Sequence, residues 1–486
     1  MDIAFQALVD VLSPASIFFM LAGIFVSSTF VALPGFDTKL GLAILIPFII
    51  YLEPVLALSL MVSTYAVSNT ANSITSILFA VPGGSGSQAT ILDGYRMARQ
   101  GKAGQALSAS FTASAIGGIF GALFFLVFIP FMPSIILWFG PVEMLMLVFS
   151  GLLLIGALSG SHHYEGIALG LIGMILGTVG IHYTTGQPRF TMDNIYLMDG
   201  FHLIPVVMGL FAMPELISLY ITNSTISKTG TNNEKTPVRD GVRKTFQNLK
   251  LIFQTSIIGT WIGFVPGLGA AITDWVAYAF CKSTLPNREN IGKGDVRGVI
   301  AIDAATNAKE GGALVPAMLF GLPGSSSVAI LLSAFSIIGI QPGIALIIDT
   351  PEIPYVIFWI MVISTIITSV ALLFMLPLFN KITVIRPEYL VPFLMLMITV
   401  GTYAVANSFY YIWAMMAFTV FGMWLKLHNL TRVPLLIGFL LGPIAERLLE
   451  TSVQLHGWSL LYHPAVIGGL CTVFAVVLLF KRVVHK

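Results

Sequence analysis

The chain has 486 residues, 56% of them hydrophobic and only 9% charged, whereas a soluble protein carries about 25% charged residues. So little charge cannot cover a water-facing surface, and the mean hydropathy of +0.91 agrees. Soluble enzymes and nucleic-acid binders are excluded, and the net charge of +2 steers no partner by itself.

A membrane crossing needs roughly 20 apolar residues. Apolar stretches fall at 16–33, 40–52, 54–67, 105–131, 134–159, 164–182, 201–221, 250–266, 268–281, 300–322, 326–348, 355–379, 389–407, 409–425, 433–449 and 464–480. The spacing predicts an all-α polytopic membrane protein with about 11 crossings plus two re-entrant hairpins. Met1 to Pro14 carries Asp2 and Asp10 but no Lys or Arg. It therefore lacks a signal-peptide n-region, and the first apolar stretch is expected to be retained. Cys281 and Cys471 stand in no metal or disulfide spacing, so no metal site is expected from them.

Lys and Arg gather in cytoplasmic loops. Six clusters, around Arg96–Lys102, Lys228–Lys250, Lys282–Arg297, Lys381/Arg386, Lys426/Arg432 and Lys481–Lys486, hold 20 of the 24 basic residues. Placing them on one side leaves the N-terminus outside and the C-terminus in the cytoplasm. The polar stretch 222–248 then reads as a cytoplasmic linker between a first repeat, 1–221, and a second, 249–486.

Four Pro-Gly pairs carry the repeat: Pro34-Gly35, Pro82-Gly83, Pro266-Gly267 and Pro323-Gly324. FVALPGF answers GFVPGLG, and LFAVPGGS answers LFGLPGSS. Residues 250–281 have basic clusters at both ends and a helix-breaking pair between them, which predicts a re-entrant hairpin. Its mate lies near 16–52 with flanks outside. A broken segment follows each hairpin, 54–95 and 299–349, with four further helices in the first repeat and five in the second. The loop after Pro82-Gly83 is basic, and that after Pro323-Gly324 is acidic (Asp349, Glu352). Equivalent loops of opposite charge predict inverted topology, the architecture of secondary transporters with interrupted helices near the midplane.

Two polar islands lie between apolar segments. The first runs Ser68-Asn69-Thr70-Ala71-Asn72-Ser73 to Pro82-Gly83-Gly84-Ser85-Gly86-Ser87. The second runs from Asp303 through Asn307, Lys309 and Glu310 to Pro323-Gly324-Ser325-Ser326. Half-helices starting after Pro-Gly present the positive end of a dipole to an anion. Asn72, Ser73, Gly83, Ser85, Ser87, Asn307, Gly324, Ser325 and Ser326 are the candidate binders of a carboxylate substrate. Asp303, Asp274 and Glu310 are candidates for a coupling cation, Na⁺ or H⁺, because an ionisable residue at membrane depth is functional by default. For Asp274 helix capping weighs equally, and for Lys309-Glu310 a purely structural pair does. Pro34, Gly35, Pro82, Pro266, Gly267 and Pro323 are the hairpin and helix breaks. The GxxxG pairs, such as Gly117/Gly121 and Gly259/Gly263, read as helix packing.

These residues resemble the large membrane subunit of the tripartite tricarboxylate transporters, the TctA family. GTWIGFVPGLGAAI, GKGDVRGVIAIDAATNAKEGGALVPAMLFGLPGSS and SITSILFAVPG carry the resemblance, which runs from about residue 15 to past 400. It implies a permeation subunit in a bacterial inner membrane, partnered by a small four-helix membrane subunit and a periplasmic solute-binding protein. The trio imports citrate-like carboxylates on an ion gradient, with no cofactor. Where the family reads APEAANNA this chain reads AIDAATNA, so Asp303 replaces a Glu and Thr306 an Asn. Substrate identity does not transfer across such differences. Two other readings remain: an intramembrane serine protease using Ser85 and His163, and a passive anion channel.

Overall fold

The computed structural model describes residues 2–31, 38–80, 85–157, 163–182, 185–222, 238–265, 269–286, 288–379, 387–404 and 408–468. Pro34, Gly35, Pro82, Gly83, Pro266, Gly267 and most of the 222–248 linker lie outside these residues, as do the side chains of Ser85, His163 and Ser326.

The described chain is helical almost throughout, as a chain in lipid must be if each segment is to satisfy its own backbone groups. The main helices are α1 (Asp2–Val11), α2 (Pro14–Val31), α3 (Thr38–Ile49), α4 (Pro54–Phe79), α5 (Thr90–Arg99), α6 (Ala103–Phe128), α7 (Pro141–Ala157), α8 (His163–Gly177), α9 (Met213–Thr222) and α10 (Val238–Gln247). There follow α11 (Leu249–Phe264), α12 (Gly269–Thr284), α13 (Val296–Phe320), α14 (Ser326–Ile337), α15 (Ile353–Phe379), α16 (Pro387–Ala404), α17 (Phe409–Leu427) and α18 (Val433–His456). Among the described residues three helical runs are long and apolar enough to cross a membrane by composition: Ala103–Ile135, Ile353–Leu376 and Phe409–Leu427. The chain is an all-α polytopic membrane protein.

Helix α1 is an addition to the sequence reading. Its acidic ends mask it as a span, but it packs on α15, where the Trp359 indole N–H donates to the Ala4 carbonyl (2.9 Å). It meets α2 at a bend of 69°.

Helices α4 and α13, with 26 and 25 residues, each reach about 40 Å at 1.5 Å per residue. Every residue of α13 from Gly298 to Leu319 is buried, which makes it the axial helix of the molecule. Glycine explains how neighbours come so close. A Cβ at Gly117 or Gly121 would lie 2.7 Å from Ala304 Cα or 2.9 Å from Ala308 Cα, so α6 meets α13 backbone to backbone. On the opposite flank Gly259 and Gly312 do the same for α11 against α13. Small residues at such seams replace the hydrophobic drive that lipid removes.

The packing has a two-fold pattern. Helix α2 runs along α4 as α11 runs along α13. Helix α3 touches α14, and α12 touches the short 3₁₀ turn Ser85–Ser87 before α5, so each half of the chain reaches the other. Helices α7, α8 and α18 form a further packed group, in which Gly173 and Gly438 bring α8 against α18, with α7 alongside.

Charged side chains outside the core tie ends together. Glu215 of α9 pairs with Lys426 of α17 (2.6 Å) and with Arg432, which also donates to the Leu210 carbonyl. Replacing Glu215 by Ala leaves both cations beside each other in a half-buried place. The expected cost is about 2 kcal/mol, below the figure for fully buried pairs because the partners are part-exposed. A thermal melt in detergent checks this, and an unchanged midpoint would refute it. At the other end of α18, Glu446 pairs with Arg189, and Glu450 lies 2.8 Å from His182 Nε2. The Thr185 N–H donates to His182 Nδ1 (3.2 Å). The contacts of His182 with Glu446 and Glu450 thus hold this residue against α18.

Candidate functional site

The two polar islands meet where α4 crosses α13. The helices run antiparallel there: Asn69 reaches Thr306 and Glu310, Thr70 reaches Asn307, and Ser73 reaches Asp303. The sequence reading places unwound backbone at both islands. The structure differs: Ser68–Ser76 and Asp303–Gly312 are uninterrupted helix, and the polar residues form one face of each. The backbone there is already satisfied by the helix, so side chains, not main-chain N–H groups, supply the chemistry.

Asp303 is 1% exposed. Its Oδ1 accepts hydrogen bonds from the Ser73 hydroxyl (2.9 Å) and the Thr90 hydroxyl at the start of α5 (3.3 Å). Its Oδ2 makes no well-aligned hydrogen bond among the described residues, but the buried Ser110 hydroxyl lies beside the carboxylate; the buried Oδ1 of Asn72 has no partner among the described residues. Buried oxygens without partners cost free energy, and hydroxyl and carboxylate oxygens are the ligands hard cations take. Asn307 is fully engaged: its amide N–H₂ donates to Ser114 Oγ and the Asp303 carbonyl (both 2.9 Å), and its Oδ1 accepts from Thr70 (3.0 Å). Ser87 joins through its carbonyl, which accepts from Ser76 (2.9 Å).

Glu310 and Lys309 lie one turn further along α13, their side chains 5% and 4% exposed and 2.8 Å apart. Asn69 donates to the same Glu310 Oε1, and the Tyr65 hydroxyl donates to the Glu310 carbonyl (3.2 Å).

The other predicted residues lie elsewhere. Helix α13 ends at Gly321 in the left-handed region (φ 66°), two residues before Pro323, which is buried with Gly324. Ser325 caps α14, its Oγ accepting from the Val328 N–H (3.3 Å). Gly324 faces the Gly263 carbonyl at the head of α11 and Ala313 of α13. Asn72, Ser73, Ser87, Asn307 and Asp303 therefore form one group, and Gly324 and Ser325 a second beside Gly263 near the end of α11. Asp274 of α12 accepts from the Ala89 N–H just ahead of α5 (3.1 Å) and from the Trp275 N–H (2.9 Å), a cap that reaches across from the other half.

Asp93 was missed by sequence reasoning. Its carboxylate accepts from the N–H groups of Gly292, Gly294 and Asp295 and so fixes α5 to the loop before α13. Burial pushes its carboxyl above the ordinary value, against those three N–H groups. Its neighbour Gly94, packed on Ile77, is the one signal in TILDGY that this segment is closely held.

A cavity of about 470 Å³ opens where α13 breaks, lined by Gly321, Ser336 and Gln341 on one side and by Met144, Pro443 and Arg447 on the other. The profile of the tripartite tricarboxylate transporter TctA family matches residues 17–437.

The chain belongs to the TctA family.

Membership makes it a tripartite tricarboxylate transporter subunit by family, and the family points to a transporter rather than to an enzyme. Two proteins of Agrobacterium vitis are also similar. The 52.8 kDa protein of the TAR-I ttuC' 3' region is 27% identical over 453 residues, 91% of this chain and 88% of its own length. The protein of the TAR-II ttuC' 3' region is 27% identical over 195 residues, 40% of this chain and 81% of its own length. No solved structure matches the chain.

Proposed function

We propose that this TctA-family subunit imports a small di- or tricarboxylate-like anion across a bacterial inner membrane, coupled to a Na⁺ or H⁺ gradient. It works with a small four-helix membrane subunit and a periplasmic solute-binding protein, its N-terminus outside and its C-terminus in the cytoplasm. One observation supports this reading: the α4–α13 crossing buries acids and amides, with Asn72 Oδ1 unpartnered among the described residues and Asp303 Oδ2 approached there by the Ser110 hydroxyl. A chain that only needed packing would place apolar residues there.

Access alternates by motion of the hairpin body against α7, α8 and α18, with the cavity beside Gly321 as the seam between them. The close seam of α6 on α13 supports counting α6 with that body, because two backbones in contact cannot slide without separating.

Counterflow in proteoliposomes holding all three proteins tests the function. Saturable exchange of labelled carboxylate is expected, and uptake that never saturates would favour a channel. Asn307→Ala removes three hydrogen bonds, each worth about 1 kcal/mol. It is expected to cut uptake at least about tenfold at normal membrane insertion. Unchanged uptake would remove the crossing from the site.

A further inference from the structure

The Lys309–Glu310 pair has a chemistry of its own. Both side chains are at least nine-tenths buried, and together they lie in the middle of the most enclosed helix. Glu310 Oε2 makes no well-aligned hydrogen bond among the described residues, and the Tyr65 hydroxyl lies within reach of the carboxylate. Each group that faces Glu310 is a donor: the Lys309 ammonium on Oε1, the Asn69 amide on Oε1, and the Tyr65 hydroxyl on the carbonyl. Tyr65 is the other titratable side chain in contact. Helices α4, α6 and α14 contain no Asp, Glu, Lys, Arg or His, and α11 has only Lys250, at its far end; of the other helices packed on α13, α12 carries Asp274 and Lys282 and α5 carries Asp93, Arg96 and Arg99, and Asp303 lies two turns back on α13 itself.

This surrounding rejects a metal cation. Na⁺ needs an all-oxygen shell, and an ammonium at 2.8 Å from the same carboxylate repels it. A proton needs no shell. The ammonium, in turn, is a ready partner for an anion, and among the described residues its ion-pair partner is Glu310. The backbone of Lys309 lies against Gly263 at the head of the hairpin arm, and one turn on, Ala313 and Gly263 both face Gly324. The Lys309 backbone therefore lies on the flank of α13 that α11 and Gly324 cover, while its ammonium sits at Glu310 Oε1 beside Asn69 of α4.

Resting on the transport reading above, we infer that Lys309 and Glu310 form a proton-linked anion switch: the substrate carboxylate takes the Lys309 ammonium, and Glu310, left without its cation, takes up one proton. The balance closes. Before binding there is one ammonium and one carboxylate. After it there are one ammonium and two carboxylates, and a single H⁺ from the outer side neutralises Glu310. On the cytoplasmic side the carboxylate leaves, Lys309 returns to Glu310, and the proton is released there. Asn69 completes the switch, since it holds Glu310 in either charge state. Asn69 lies 241 residues before Glu310, the same offset that separates Pro82 from Pro323, so the two repeats contribute equivalent positions to one hydrogen bond.

The test uses the whole three-protein transporter in proteoliposomes with a pH dye inside and labelled carboxylate outside. For the unaltered protein, substrate addition without Na⁺ acidifies the lumen, one proton per substrate pair site. Glu310→Gln is expected to abolish acidification and to make uptake insensitive to an imposed pH gradient. Lys309→Ala is expected to raise the half-saturating carboxylate concentration roughly 10- to 100-fold, the worth of one charge-assisted hydrogen bond, with partial rescue by Lys309→Arg. The double variant Lys309→Met/Glu310→Leu guards against misfolding, because an apolar pair of similar volume keeps or improves stability. It is expected to melt no lower than the unaltered protein yet to move no protons. Proton-coupled uptake in the double variant would reduce the pair to a structural element and overturn the switch. Uptake in the unaltered protein that follows Na⁺ and leaves the lumen pH constant would overturn it too, while leaving the transport function standing. Absence of any saturable carboxylate uptake by the unaltered complex would instead overturn the function on which the switch rests.

Discussion

Asp303→Ala is expected to lower carboxylate uptake about 100-fold or more while the protein still inserts. Two hydroxyls, from Ser73 of α4 and Thr90 of α5, converge on one oxygen of this carboxylate. Hydrogen bonds to an ionised group contribute about 1.5–3 kcal/mol each, and each 1.4 kcal/mol is about tenfold in an equilibrium. Losing both frees the start of α5 from the crossing and leaves two buried hydroxyls unpaired. Asp303→Asn separates charge from shape, since it still accepts both hydroxyl bonds. If Asn restores uptake fully, the carboxylate's charge plays no part in transport. If Asn fails as Ala does at equal expression, the charge itself is required. Asp303→Glu, which reinstates the acid that the family usually shows, is informative in a third way. The longer side chain must displace Ser73 or Thr90 from contacts near 3 Å, so altered substrate preference is the expected result.

Much of this arrangement was legible in the residues. Among the described residues, one Pro-Gly pair, Pro323-Gly324, follows a helix end, as expected because Pro cannot donate and Gly tolerates positive φ. Helix α4 ends at Phe79 with Ala80 at φ 56°, and α13 ends at Gly321 with φ 66°. The GxxxG spacing at Gly117/Gly121 and Gly259/Gly263 became helix seams, as packing predicts. The polar islands were found, but their conformation was not. Asn, Ser and Thr have low helix propensity alone, and only the antiparallel partner helix turns them into a satisfied face. Asp93 was illegible for a different reason. Its three partners are backbone N–H groups about 200 residues away, and backbone groups leave no side-chain pattern to match. Lys309-Glu310 showed its pairing in the text, but not the donors from α4 that decide which cation it can accept.

Gly311→Ala is expected to be the most damaging one-methyl change in the chain. A Cβ there would lie 2.8 Å from Gly121 Cα and closer still to the Gly121 carbonyl. Those atoms are backbone, so no side chain can turn aside; α6 must lift off α13. Overpacking of an ordinary core costs about 1–3 kcal/mol, and a rigid neighbour puts this site at about 3 kcal/mol or above. The loss spreads because the seam is shared. Gly117 on Ala304 and Gly121 on Ala308 lie along the same line, and Ser114, one turn before them on α6, holds Asn307. Lifting α6 therefore also breaks the polar crossing, and transport should fail with stability. Gly468→Ala is the matched control, because nothing lies within 4 Å of a Cβ there. Thermal unfolding of the two variants in detergent gives the comparison: a large drop for Gly311→Ala and none for Gly468→Ala is expected. Equal melting points would mean that α6 and α13 are not in backbone contact, and the assignment of α6 to the moving body would fall with that contact.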